Sequence, residues 1–461
     1  MFTQAVAGEA LSACTPAINS GSGTSFVAPG SAGGLRLSPL SEFKRNVALA
    51  DNSCQVYSTT VSESATSGLA QQLDALVKET VRSHPNVESR NGAVNEAAYG
   101  LRAAELQYYP APSAQVSQRS DGTHVTTLQL TQPLWTWGRI TAGVDAASSQ
   151  KQSAEFSVLE AQYGLALNVV SAYQTLQSSL GRQKASNNNL ERLLSLEALV
   201  KRRIAQGASP LSDSYLISSR LDQSRSELAN EQANGNSALA QLSLLAGREV
   251  TASEIELQSG VAASEFFNHE NEEQFVQYAL NNHPVLSRFA ADIEVADAQQ
   301  RAQKAALWPS LALQAQHTTT TAPGTFDNDS VFLTVQYQPG AGLSSFAQAQ
   351  AAQARVQSVR ALRVAAERSL VQSIRIEWQA GTAASKRLGN ALANAKTAAE
   401  VLESYKRLFK AGKRSWYDVV NVARDLVIAE QALAEVNAQL VVTRYKLDVL
   451  SGKFPWLGNR T

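Results

Sequence analysis

Cysteine is nearly absent from this 461-residue chain: Cys14 and Cys54 stand alone, both near the N-terminus. Two such thiols make neither a disulfide framework nor a thiolate metal site, and they read as isolated tail thiols or one tail disulfide. A lipid-attachment reading of Leu11-Ser12-Ala13-Cys14 is set aside, because Met1 to Glu9 has neither a basic start nor an apolar stretch. Histidine is scarce as well. His84, His124, His269, His283 and His317 include no pair at the i, i+4 spacing of a helical metal site. Excess charge of either sign is missing, with 40 basic and 40 acidic residues, so nothing points to a nucleic-acid partner. No GxSxG, Walker loop or complete dinucleotide fingerprint is present, and no nucleophile, base and orienting residue stand together. The chain reads as a non-enzyme without cofactor or metal. A continuous apolar run of about 18 residues is also absent, which argues against a transmembrane helix but leaves a closed β-barrel open.

What is present is a duplication. His84-Pro85 recurs as His283-Pro284 and Pro110 as Pro309, both at an offset of 199. Gln132-Pro133 recurs as Gln338-Pro339 at 206, and Gly207, Asp213 and Gly247 recur as Gly412, Asp418 and Gly452 at 205. The offset changes within one loop and then holds, which chance matches would not do. The chain divides into a disordered Gly/Ser/Thr-rich leader (1–66), a first repeat (67–250), an equatorial linker (251–271), a second repeat (272–455) and a short tail (456–461).

Each repeat has one plan: a helix up to a proline (Gln71–Tyr108; Glu272–Leu307), two short strands, a very long helix (about Arg139–Gln206; about Leu343–Lys410), a tight turn and a return helix (Ser214–Ala246; Val419–Ser451). In the last helix Val419, Val422, Leu426, Ala429, Leu433, Val436, Leu440, Thr443, Leu447 and Leu450 alternate three and four apart, an a/d seam. Ile217, Leu221, Ser224 and Leu228 keep the same period in the first return helix. A helix from Arg139 to Gln206 is about 100 Å long at 1.5 Å per residue. The return helix and the helix opening the second repeat, stacked end to end, match that length. The chain is therefore expected to run down once and come back in two pieces, with the linker forming a belt partway.

The strands alternate apolar and polar residues: Leu311, Leu313 and Ala315 against Ser310, Ala312 and Gln314; Val331, Leu333, Val335 and Tyr337 against Phe332, Thr334 and Gln336; Leu128, Leu130 and Leu134 against Thr127, Gln129 and Thr131. Tyr108, Tyr109, Trp135, Trp137 and Trp308 cluster at the strand ends, as aromatics do at a membrane–water interface. Four strands cannot close a barrel, and an open edge in lipid leaves backbone groups unpaired, so several chains must share one barrel. Three chains give twelve strands. The fold class expected is mainly α with a transmembrane β part: a long coiled-coil helical barrel plus four β-strands per chain in a trimeric barrel.

The doubled order of His-Pro, Ala-rich helix, proline, alternating strands and Gly-x5-Asp turn resembles the TolC family of outer-membrane efflux and secretion ducts, over about residues 68–455. The resemblance implies a homotrimer in the outer membrane of a Gram-negative bacterium with a long periplasmic tunnel. It implies as partners a periplasmic adaptor protein, an inner-membrane ABC or other pump, and outer-membrane lipid. It also implies a gate at the two tight turns. There Arg414 and Asp213 take the positions of a latch between hairpins, Phe409 replaces a tyrosine and so lacks its hydroxyl, Asp418 fits an acidic ring, and Asn421 stands where a second aspartate ring is typical. Asp418 also suits a helix cap. By overall resemblance the cargo is a large protein secreted by a type I system, such as an adhesin, with small-molecule efflux as the alternative. A soluble coiled-coil scaffold is the reading from another class.

Overall fold

The structure, a computed structural model, describes residues 64–457 apart from 121 and 322–326. The expected leader lies outside the described residues except for 64–66. Cys14, Cys54, parts of both strand-connecting loops and residues 458–461 of the tail also lie outside them. The elements are α1 (Ser64–Ser83), α2 (Pro85–Leu106), β1 (Ala111–Gln118), β2 (His124–Trp135), α3 (Arg139–Ala205), α4 (Ser212–Ala246), α5 (Val261–His269), α6 (Glu272–Asn282), α7 (Pro284–Ala305), β3 (Ser310–Thr320), β4 (Asn328–Gln336), α8 (Ser344–Lys410) and α9 (Trp416–Ser451).

The helix that opens each repeat is two helices rather than the single one expected. The break falls at the His-Pro pair in both cases. Proline has no amide hydrogen to continue the ladder and forces the preceding residue out of the helical region. His84 and His283 are accordingly extended, at φ −74°, ψ 129° and φ −73°, ψ 128°. Each imidazole then caps the next helix: Asn86 N–H donates to His84 Nδ1 at 3.1 Å, and Val285 N–H to His283 Nδ1 at 3.3 Å. The equatorial linker is also not bare loop, since it contains α5 and a 3-10 turn at Ala252–Glu254. The α5 residues Phe266 and Phe267 meet edge-on and pack against Trp378, and Phe275 joins the group through Phe266 and Trp378.

The long helices each run for 67 residues, about 100 Å. Helix α7 lies along the sheet-proximal half of α3, with Arg288 bonded to Glu160 and Arg301 to Asp145. Helix α4 lies along the distal half, where Asn189 donates to Ser224 at 3.2 Å and Arg182 faces Glu231. The return in two stacked pieces is thus realised. On the seam of α9, Val419, Leu426, Ala429, Val436, Leu440, Thr443, Leu447 and Leu450 are buried, while Val422 and Leu433 are half-buried. By length and composition α9 is apolar enough to cross a membrane, but half of its most apolar window is buried inside the chain. It packs against α3 and α8.

Side by side, the helices near the sheet run α2–α3–α7–α8, and those toward the turns run α4–α3–α9–α8. The sheet runs β1–β2–β3–β4, all antiparallel. One lateral border of the chain is therefore β1 with α2 and α4, and the other is β4 with α8. The two repeats join at the β2–β3 pairing, in register from Val125↔Thr320 to Gln132↔Leu313. A bulge between Pro133 and Trp135 brings Trp135, rather than Leu134, opposite Leu311.

Candidate gate and aromatic girdle

The two tight turns are built alike. Helix α3 closes with Ala208 N–H on Arg203 O at 2.8 Å, and α8 with Lys413 N–H on Leu408 O at 2.9 Å. Both need a left-handed residue, supplied by Gly207 at φ +69° and Gly412 at φ +73°. After the second turn Ser415 and Asp418 form a reciprocal capping box: Asp418 N–H donates to Ser415 Oγ and Ser415 N–H to Asp418 Oδ2, each at 3.2 Å. The carboxylate of Asp418 is thus committed to the start of α9. Arg414 sits 4.0 Å from it and lays its guanidinium 5.0 Å from the Tyr405 ring centroid.

The first turn differs. Asp213 lies in the opening turn of α4, its N–H bonded to Pro210 O at 3.1 Å. Its carboxylate has no hydrogen-bond or ion-pair partner in the chain among the described residues. A single chain does not bring Asp213 and Arg414 together. Asn421 is half-buried in a narrow cleft between α3, α4 and α9, beside Asn189, Arg220 and Arg424. Phe409 is 3% exposed and packs with Leu402, Trp416 and Val420.

Two residues escaped sequence reasoning here. Arg203, on α3, donates through Nη1 to Phe409 O at 3.1 Å and stands 5.0 Å over the Phe409 ring. Arg192, also on α3, makes a two-pronged contact with Glu430 on α9, at 3.0 and 2.6 Å. Both tie the first hairpin to the second. The first joins nearly matching positions of the two repeats, 206 residues apart, and the second unlike positions, 238 apart; a repeat offset aligns positions without showing which side chains touch.

At the far end of the long helices, the five aromatics stand at the helix–strand junctions. All are exposed: Tyr108, Tyr109, Trp135, Trp137 and Trp308. Trp137 is left-handed at φ +54°, an unusual place for a bulky residue. It is held there by Nε1–H on Pro309 O at 2.8 Å, by Trp308 at 5.3 Å and by Trp135 edge-on at 5.9 Å. Tyr108 Oη donates to Thr141 Oγ1 at 2.9 Å. The cluster spans both repeats and turns a row of indoles outward where the sheet meets the helices.

A small antiparallel sheet with one apolar face and two edges unpaired among the described residues, set on 100 Å helices, defines one subunit of a membrane-crossing duct. The family model described as Outer membrane efflux protein matches residues 76–248 and 275–453, and the chain belongs to that family. It is an outer-membrane channel protein with a long periplasmic helical extension, not an enzyme. One matched stretch falls within 67–250 and the other within 272–455. Among solved structures, the chain is similar to the outer membrane protein VceC of Vibrio cholerae, at 18% identity over 83% of this chain and 97% of that one, with a TM-score of 0.71. It is similar to the CmeC outer membrane channel of Campylobacter jejuni, at 12% identity over 89% and 94%, with a TM-score of 0.71. It is also similar to the MtrE outer membrane channel of Neisseria gonorrhoeae in its open state, at 14% identity over 83% and 89%, with a TM-score of 0.66. Comparison with curated protein sequences gives no significant match.

Proposed function

We propose that three copies of this chain close one twelve-stranded barrel above a continuous helical tunnel and serve as the passive exit duct of a tripartite export system. The observation that carries this is the pair of free borders. Among the described residues, edges β1 and β4 have no partner strand within the chain, and backbone groups left open in lipid cost several kcal/mol each. Pairing β4 and α8 of one copy with β1, α2 and α4 of the next satisfies both borders at once. Family members are homotrimers that work with an adaptor and an inner-membrane pump, and this chain takes a periplasmic adaptor and an ABC-type or other pump in the same way. Energy comes from the pump.

The gate lies at the two turns. The unpartnered Asp213 carboxylate and the exposed Arg414 support a latch between neighbouring copies. Each such pair is weak if exposed, about 0–1 kcal/mol, so an adaptor could break three of them. Asp418, repeated around the axis, makes a carboxylate ring that favours cations. The aromatic girdle, from Tyr108 to Trp308, marks the periplasmic interface of the membrane.

The cargo is a polypeptide secreted by a type I system, such as an adhesin, on overall resemblance. Small-molecule efflux is the second reading, favoured by the description of the family itself. Deleting the gene separates them. Loss of one surface protein with unchanged drug tolerance supports secretion; drug hypersensitivity with an intact surface proteome overturns it in favour of efflux.

A further inference from the structure

The strand register assigns every strand residue to one of two faces, and the faces differ in charge as well as polarity. Ser113 pairs with Gln129, Gln129 with Gln316, and Gln316 with Ser330, so one polar row crosses all four strands. Pro112, Leu130, Ala315 and Val331 form the adjacent apolar row on the opposite face. The polar face otherwise carries only Ser, Thr, Gln, Asn and Ala, with Val125, Pro133 and Phe332. No strand residue on it is charged. The one carboxylate in the strands, Asp329, falls on the apolar face, where His317 Nδ1 meets it at 2.6 Å.

Three of the amides on the polar face are also engaged with their neighbours. Gln129 donates to Thr131 Oγ1 at 3.1 Å, Gln316 to Thr318 Oγ1 at 3.1 Å, and Thr334 Oγ1 donates to Gln314 Oε1 at 3.1 Å. Side chains bonded laterally along the wall are held back from the axis. We infer that the barrel lumen is a charge-free amide and hydroxyl sleeve, with a girdle of Gln129 and Gln316, that passes cargo of either charge sign without sorting it. This rests on the duct reading above. Three copies give a ring of six such glutamines. Fixed charge in a confined pore sets its ion preference, and a neutral wall leaves that preference to other levels of the channel. The chemical class served at this level is any hydrated solute or extended chain that fits, whatever its charge.

The test uses the full chain in outer-membrane vesicles, with Cys14 and Cys54 replaced by serine and a single cysteine introduced as Gln316→Cys or, in a second protein, Gln129→Cys. Cationic trimethylammonium and anionic sulfonate methanethiosulfonate reagents are added from outside, and each rate is divided by that for free cysteine. The corrected rates for the two signs are expected to agree within about threefold at both positions. A ratio beyond that overturns the charge-free sleeve while leaving the duct intact. Leu128→Cys, on the other face, is expected to stay unlabelled in lipid. Labelling of Leu128→Cys with protection of both glutamine positions would reverse the faces and sink the barrel reading itself.

Discussion

Phe409 has a structural role at the tip that resemblance did not assign it. Resemblance put it at the gate as a tyrosine lacking its hydroxyl. In the chain it is a buried anchor, capped by Arg203 from the other hairpin through both ring and carbonyl. Emptying that position removes apolar burial and leaves the guanidinium without its ring. Phe409→Ala is expected to destabilise the tip by about 3 kcal/mol, seen as faster hydrogen exchange across both turns with the sheet unchanged. Unchanged exchange at residues 200–215 would mean that Arg203 does not couple the hairpins.

His283 carries a second residue-scale consequence. It is 1% exposed, its ring meets Tyr163 edge-on at 4.7 Å, and burial pushes its pKa down from 6.5 to about 4. A folded-state pKa below the unfolded one means the unfolded chain binds the extra proton. This contribution is therefore complete above about pH 6.5 and is lost as pH falls toward 4, by about 3 kcal/mol in all. Exchange protection around the α6–α7 joint should fall over that interval. His283→Asn, which keeps a capping acceptor, should flatten the curve. A slope unaffected by the substitution would assign the pH dependence to another group.

At the scale of elements, the belt is the part that sequence patterning hid. The period-3.5 seams of α4 and α9 were legible because apolar residues repeat along one face, and the strands were legible from period two. Helix α5 has only nine residues and lacks a sustained period, so nothing in residues 251–271 distinguishes it from loop. The His-Pro breaks were visible as motifs but were read through, because the helical pattern resumes on both sides. The bulge at Pro133–Trp135 was unreadable, since it depends on the partner strand. The contact between belt and bundle centres on Gly381 of α8, where an added Cβ would strike the Phe267 ring and come 2.7 Å from Thr443 Cγ2. Gly381→Ala is expected to cost about 1–3 kcal/mol by overpacking, measured as a lower midpoint for thermal loss of the native complex. An unchanged midpoint would show that α5 can lift away from α8 without penalty.

For the whole molecule, the duplication accounts for most of what the sequence revealed. Two copies of one plan make a subunit with two unlike borders, and matching offsets made both hairpins and both strand pairs legible before any coordinates. The lateral order of the helices and the strand register were not legible, because they arise from packing between repeats. Those two features carry the central claim that the chain is complete only as a ring. The most direct test is the protein mass of the complex extracted from outer membranes in mild detergent, by light scattering with the detergent contribution subtracted. A subunit of 49.4 kDa predicts about 148 kDa for three copies. A water-soluble species at the mass of one or two chains would contradict the shared barrel and leave the strands without partners.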